Sequence, residues 1–257
     1  MAFIVARHPA PDTRLRTAAA ELNVPFHVHE DVNSAEFIES IRGACDLNVS
    51  LSFNQILRPE IIQLAPGGFI NCHAGGLPFY RGRNILNWAI INGEERFGVT
   101  VHHVDEGIDT GDIILQDWVA ISPSDNYATV LDKAYLQCGI TLHSAIRILA
   151  DGIENRRSQA EIHPVGMYCG QRTFGDEWIN WEWSSVRIHN FIRALTVPGP
   201  CARTRKQTDL AILESRLIEN AIDYIGTPGE VVGRSADGCV VKTGDNVLLL
   251  TQVADIV

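Results

Sequence analysis

Over the first two-thirds of the chain, hydrophobic residues fall in short runs between turn formers, with strand-like and helix-like spacing in alternation. Residues 2–6 (AFIVA) are apolar and stop at His8-Pro9 and Pro11-Asp12, which predicts a strand and then a turn. Residues 13–22, rich in Ala, Leu and Arg, predict a helix opened by Asp12 or Thr13. Further strands are predicted at 25–29, 47–53, 69–73, 98–104 and 112–121. Further helices are predicted at 34–42, capped by Ser34, at 59–64, opened by Pro59, at 84–92 and at 126–151. The last is the longest, with Val130, Leu131, Ala134, Ile140, Leu142, Ile146 and Leu149 recurring along it. The 47–53 run alternates little, as a strand covered on both faces would.

This alternation predicts an α/β fold with a mostly parallel, Rossmann-like sheet and helices on both faces, its ligand edge at the strand C-termini. The end of the chain reads differently. A linker from about 152 to 175 leads to Trp178, Trp181 and Trp183, a short helix at 184–195, and a break at Pro198-Gly199-Pro200. The three tryptophans read as packing. From Gly229 short apolar runs alternate with tight turns at Ala236-Asp237-Gly238 and Gly244-Asp245-Asn246, which predicts a small antiparallel β module.

Composition narrows the function classes. The 257 residues are 46% hydrophobic and 20% charged, which excludes disorder as the main state. The formal net charge is −10, against the basic stripe that phosphate-backbone binding requires. No apolar run is long enough for a membrane span, and the N-terminus carries no basic-then-apolar secretory pattern. The six cysteines, at 45, 72, 138, 169, 201 and 239, form no CxxC pair, so no metal site is expected; free thiols in the cytoplasm are.

Three polar groups stand where strands end. Asn71 and His73 close the run FINCH two residues apart, which puts them on one side of a strand. Asp109 follows VTVHHV in the loop VDEGIDTGD. Taken singly, each is ordinary: a turn-forming Asn, a buried His, a loop Asp.

Together they resemble a family. INCHAGGLPFYRGRNILNWAIINGE followed by FGVTVHHVDEGIDTGDIILQ is similar to the formyltransferases that use 10-formyltetrahydrofolate. Their signature, Asn-x-His-x-x-x-Leu-Pro and then Asp-Thr-Gly, is matched by Asn71, His73, Leu77, Pro78 and Asp109-Thr110-Gly111. LSFNQILRPEIIQL resembles the family's pterin-pocket segment, and GTPGEVVGRSADGCVVKTGDNVLLLTQV its small C-terminal β module. Relative to the family pattern, the resemblance implies that this sequence begins at the second strand, the first strand, its loop and its helix being an expected absence. LPFYRGRNILNWAIING and FGDEWINWEWSSVRIHNFIRALTVPGPCA resemble the branch acting on nucleotide-linked amino-deoxysugars.

The resemblance implies a formyltransferase catalytic domain at 1–152, a linker and substrate-side helix at 153–200, and the β module at 201–257. It implies Asn71 as the donor polarising the formyl oxygen, with His73 and Asp109 handling the amine's proton in an order the sequence leaves open. For the donor, 10-formyltetrahydrofolate, it implies Phe53, Asn54, Gln55, Ile56, Leu57, Asp105 and Glu106. For the acceptor, Tyr80, Arg81, Arg83 and Asn84 lie in a loop entering a helix, where Arg suits phosphate. Tyr168 is a candidate to stack on a base; Arg193 and Asn190 are further candidates. The implied product is a formamido sugar for surface polysaccharide, from a dTDP-linked 3- or 4-amino-6-deoxyhexose. A homodimer is a further expectation. Competing readings are a methionyl-tRNA formyltransferase, a formyltetrahydrofolate hydrolase, and a non-catalytic folate- or nucleotide-binding remnant. Residues 201–257 hold six basic groups against eight acidic ones, which disfavours tRNA.

Overall fold

The computed structural model describes residues 1–153, 155–205, 208–223 and 225–256. In chain order the elements are β1 (Ile4–Ala6), α1 (Thr13–Glu21), β2 (Phe26–Val28), α2 (Ala35–Ile41), β3 (Asn48–Leu51), α3 (Pro59–Ile62), β4 (Phe69–His73), β5 (Arg81–Gly82), α4 (Ile85–Ile91), β6 (Arg96–His103), β7 (Ile113–Ala120) and α5 (Tyr127–Ala150). A 3-10 turn (Gln159–Glu161), β8 (Tyr168–Cys169), α6 (Ser185–Ala194), β9 (Ala202–Arg205), β10 (Asp209–Leu217), β11 (Val231–Ser235), β12 (Gly238–Lys242) and β13 (Val247–Asp255) complete it.

The chain divides into two compact units, each made of three segments. The first comprises Met1–Arg81, Val99–Asp117 and Cys138–Met167. Its helix starts follow the capping chemistry: Asp12 accepts from Arg14 N and Ser34 from Phe37 N. β1 pairs in parallel with β2, and β3 in parallel with β4. One apolar cluster joins these strands to the helices: Val32, Phe37, Ile38, Ile41 and Ile61, packed by Phe3, Val5, Phe53, Leu57, Leu64 and Phe69.

The four-stranded sheet runs β3-β4-β6-β7. The class is the expected mixed α/β, but parallel pairing stops at β4. β6 runs antiparallel to it, with Asn71 opposite His102 and His73 opposite Thr100. The reason at the next strand is loop length: residues 104–112 hold no helix, and a short link cannot carry a parallel crossover. His103 N accordingly bonds to Asp112 O where β6 turns into β7.

The second unit comprises Gly82–Gly98, Trp118–Gln137 and Tyr168–Val257. Ser184 caps α6 by accepting from Arg187 N. Asn87 Nδ2, buried on α4, donates to Ala194 O at the end of α6. The five-stranded antiparallel sheet, ordered β11-β12-β13-β10-β9, packs Ile212, Val241, Leu248 and Leu250 against Ile188, Phe191 and Ile192 of α6. Trp181 and Trp183 pack against this core, Trp181 Nε1 donating to Thr204 Oγ1 at 2.9 Å. The two-residue turn Ala236-Asp237, with Gly238 opening β12, joins β11 to β12 where the sequence predicts a turn. All six cysteines are free thiols. Among the described residues no helix is long and apolar enough to cross a membrane.

Candidate active site

β4 is hydrogen-bonded on both sides, so its side chains alternate strictly between faces. Ile70 and Cys72 are buried on one face; Asn71 and His73 share the other. The antiparallel register brings His102 and Thr100 of β6 alongside them. Thr100 is fully buried and organises the loop after β4. Its Oγ1 donates to Gly75 O at 2.7 Å and accepts from Gln116 Nε2 at 2.8 Å.

Hydrogen-bond partners fix the tautomers. His73 Nε2 lies 2.7 Å from the Tyr80 carbonyl, which can only accept, so Nε2 carries the hydrogen. His73 Nδ1 is then the basic atom, 3.6 Å from Asp109 Oδ2. His102 Nδ1 donates to the His103 carbonyl at 2.8 Å, leaving Nε2 as an acceptor. Asn71 Nδ2 donates to His102 Nε2 at 3.3 Å and to Asp109 Oδ1 at 3.4 Å. Both contacts are long and can yield to a better acceptor. Burial pushes the His73 imidazole below the ordinary histidine range, and the Asp109 carboxylate partly opposes that.

Asp109 reaches this face from a tightly tied loop. Its backbone is left-handed, with φ of 53°. Thr110 Oγ1 donates to Asp105 Oδ1 at 2.5 Å and Gly107 N to the same oxygen at 3.1 Å. Gly111 has no room for a side chain, because a methyl would overlap the His103 carbonyl. An amide donor, a neutral imidazole and a carboxylate thus converge on one buried spot. That set suits acyl transfer: polarise a carbonyl, take a proton, stabilise the resulting cation.

The formyl transferase family profile matches residues 2–145, and the profile of the formyl transferase C-terminal domain matches residues 173–255. The chain belongs to the formyl transferase family. The methionyl-tRNA formyltransferase of Desulforamulus reducens (strain ATCC BAA-1160 / DSM 100696 / MI-1) is 32% identical over 242 residues, 93% of this chain and 75% of that protein. The fold is shared with an N-formyltransferase from Helicobacter canadensis solved with folinic acid and dTDP-3-aminofucose: TM-score 0.69, 21% identity, 93% of this chain and 82% of that one. It is shared too with WlaRD, a sugar 3N-formyltransferase solved in the presence of dTDP and 5-N-formyl-THF: TM-score 0.67, 20% identity, 96% and 86% covered.

In this formyltransferase the segment 53–57 is anchored from several sides. Gln55 Oε1 accepts from Val32 N at 3.0 Å and its Nε2 donates to His29 O at 3.2 Å. Asn54 Nδ2 donates to His8 O, and Asn33 Nδ2 to Ile56 O. Phe53 and Leu57 pack on the apolar cluster, whereas the Ile56 side chain is 70% exposed. Glu106 and Ile108 are exposed on the Asp109 loop, and Asp105 is engaged by Thr110.

The expected acceptor residues have varied partners. Tyr80 is left-handed and supplies the carbonyl to His73. Arg81 is turned inward: its Nε and Nη2 donate to Gln159 Oε1 at 3.1 and 2.6 Å. In the second unit, Arg83 Nη1 donates to Gln171 Oε1 at 2.9 Å, and Asn84 Oδ1 accepts from Arg172 N at 2.9 Å. Tyr168 is exposed. Arg193 Nη1 donates to the Ser122 and Asp125 carbonyls at 3.3 and 2.9 Å, and its Nε to Asn190 Oδ1 at 2.9 Å.

Sequence reading missed His102, Thr100 and Gln159. The first two carried a signal: an antiparallel β4–β6 pairing would have placed them beside Asn71 and His73. Gln159 carried none, since it lies about fifty residues beyond the Asp109 loop it contacts.

Proposed function

We propose that the chain transfers the formyl group of 10-formyltetrahydrofolate to the primary amine of a nucleotide-linked amino-deoxysugar. The observation behind the acceptor class is charge. The chain is acidic overall, and residues 201–257 hold six basic against eight acidic groups. Phosphate-backbone binding draws its affinity from an excess of cations, and in this module acidic groups outnumber the basic ones. A small nucleotide needs only a few donors.

The donor fits the residues present. Exposed Ile56 and Ile108, on two anchored loops, offer apolar faces to a flat ring, and adjacent backbone groups can read its edge. When bound, the folate supplies an activated formyl carbon and a nitrogen leaving group. Asn71 then turns its amide hydrogens from the long contacts with His102 and Asp109 toward the formyl oxygen as charge develops there. One such donor is worth about 3–4 kcal/mol of barrier. His73 Nδ1 takes the proton the attacking amine loses and can return it to the leaving nitrogen. The Asp109 carboxylate steadies the imidazolium meanwhile. The tautomer set by Tyr80 supports His73, rather than Asp109, as the first base.

A second reading, formylation of methionyl-tRNA, is favoured by the 32% identity to enzymes of that name over 93% of the chain. Calorimetric titration separates the two. Binding of dTDP together with no salt-sensitive binding of tRNA supports the sugar reading. Tight tRNA binding that weakens steeply with salt transfers the assignment to the second.

A further inference from the structure

We propose that Gln159 is a positioning residue for the catalytic carboxylate: clamped by Arg81, its amide fixes the backbone of the loop that presents Asp109. This rests on the catalytic reading of Asp109 given above. Gln159 opens the short 3-10 turn within the linker that follows α5, where Ser158 Oγ accepts from Ala160 N at 3.3 Å. Its side chain is polar yet only 4% exposed, so each amide atom needs a partner. All are supplied. Oε1 accepts twice from the Arg81 guanidinium, at 3.1 and 2.6 Å. That orients the amide, because a guanidinium only donates. Nε2 is therefore the end facing the Asp109 loop, and it donates to Asp109 O at 2.9 Å and Gly111 O at 2.8 Å.

The two bonds bracket Thr110 and hold the backbone where it is least at ease. Asp109 sits at φ 53°, a left-handed conformation that is unfavourable for most L-residues and that Asp adopts more readily than most, so outside contacts help to select it. Without the two bonds, rotation toward negative φ would swing the carboxylate away from His73 Nδ1 and Asn71 Nδ2. The Arg81 guanidinium lies close against Gly166, where a methyl would overlap it. It also follows Tyr80 directly, and the Tyr80 carbonyl sets the His73 tautomer. One short segment thus fixes the base through Tyr80 and the carboxylate loop through Arg81 and Gln159.

The test reads His73 without turnover. In the full chain, His73 is followed by histidine ¹⁵N NMR across pH, its signal assigned by loss in His73→Gln. The groups facing His73 are Asp109, His102 and the Tyr80 carbonyl. Gln159→Leu is expected to lower the His73 midpoint in the direction of Asp109→Asn, and to add nothing in an Asp109→Asn background. A folded Gln159→Leu with the wild-type midpoint overturns the proposal. Should Gln159→Leu fail to fold, Gln159→Met, closer in length, carries the same test. In the formyl-transfer assay, Gln159→Glu keeps an acceptor for Arg81 but lacks the N–H donors. Its kcat is expected to fall about tenfold or more, with KM for the donor unchanged. Wild-type kcat in Gln159→Glu overturns the proposal. Wild-type turnover in Asp109→Asn instead overturns the catalytic reading of Asp109, which the NMR coupling does not require.

Discussion

The Tyr80 carbonyl, 2.7 Å from His73 Nε2, decides which nitrogen of His73 faces the Asp109 carboxylate. A carbonyl has no proton to give, so Nε2 keeps its hydrogen and Nδ1 keeps its lone pair. Burial then makes the neutral ring the resting form. A base that is neutral at physiological pH and beside a carboxylate can take a proton from an amine and be stabilised once charged.

The pH dependence has a defined sign. His73 lies below the ordinary imidazole value of about 6.5, so its basic form predominates above that pH. The kcat at saturating acceptor should fall toward low pH on a limb centred below about pH 6.5. Asp109→Asn should move that limb to lower pH, because the carboxylate favours the imidazolium. The linked stability has the same sense. It is fully present above the unfolded value and is lost as pH falls through the folded one, since the unfolded chain binds the proton more readily. A kcat limb centred above pH 6.5 contradicts the assignment.

Gly75 should be intolerant of any side chain. A methyl there would overlap the His73 ring and lie 2.5 Å from the Tyr80 carbonyl. Gly75→Ala is expected to break the bond that sets the tautomer and to lower kcat by about a hundredfold or more, within the range of acid–base contributions. Circular dichroism should show the fold retained. Wild-type kcat in Gly75→Ala would remove Tyr80 from the mechanism.

Arg193 is engaged by protein groups, and its loss should register in stability. Its guanidinium satisfies the Ser122 and Asp125 carbonyls in the turn before α5. Arg193→Ala leaves those acceptors short of a donor, at a cost of about 1–3 kcal/mol. Thermal melting should fall by several degrees while KM for the formyl acceptor changes little. A large rise in KM with an unchanged Tm would place Arg193 against the substrate instead.

Much of this architecture is legible residue by residue. Period-two alternation in FINCH puts Asn71 and His73 on one face, and the structure gathers them with Asp109. Ser34 and Ser184 announce their helices because their side chains satisfy exposed amides. The direction of β6 was not legible, since strand-like spacing does not encode whether a neighbour is parallel. β9 and β10 escaped for another reason. ARTR and DLAILESRL carry polar residues on their open face and no Asn-Gly or Asp-Gly turn between them. Gln159 acts through a long-range contact, which only the assembled chain reveals. The inward turn of Arg81 is of the same kind: an Arg in a loop before a helix reads as an anion ligand until its partner Gln159 is located.

The most direct measurement is formyl transfer itself. Purified chain is incubated with 10-formyltetrahydrofolate and, in parallel, with nucleotide-linked 3-amino and 4-amino sugars and with methionyl-tRNA, and products are read by mass spectrometry. A gain of one formyl group on a single amino sugar is expected, with none on methionyl-tRNA and none on the sugar with Asn71→Ala or His73→Ala beyond trace. Formylation of methionyl-tRNA with every sugar left untouched would contradict the proposed acceptor.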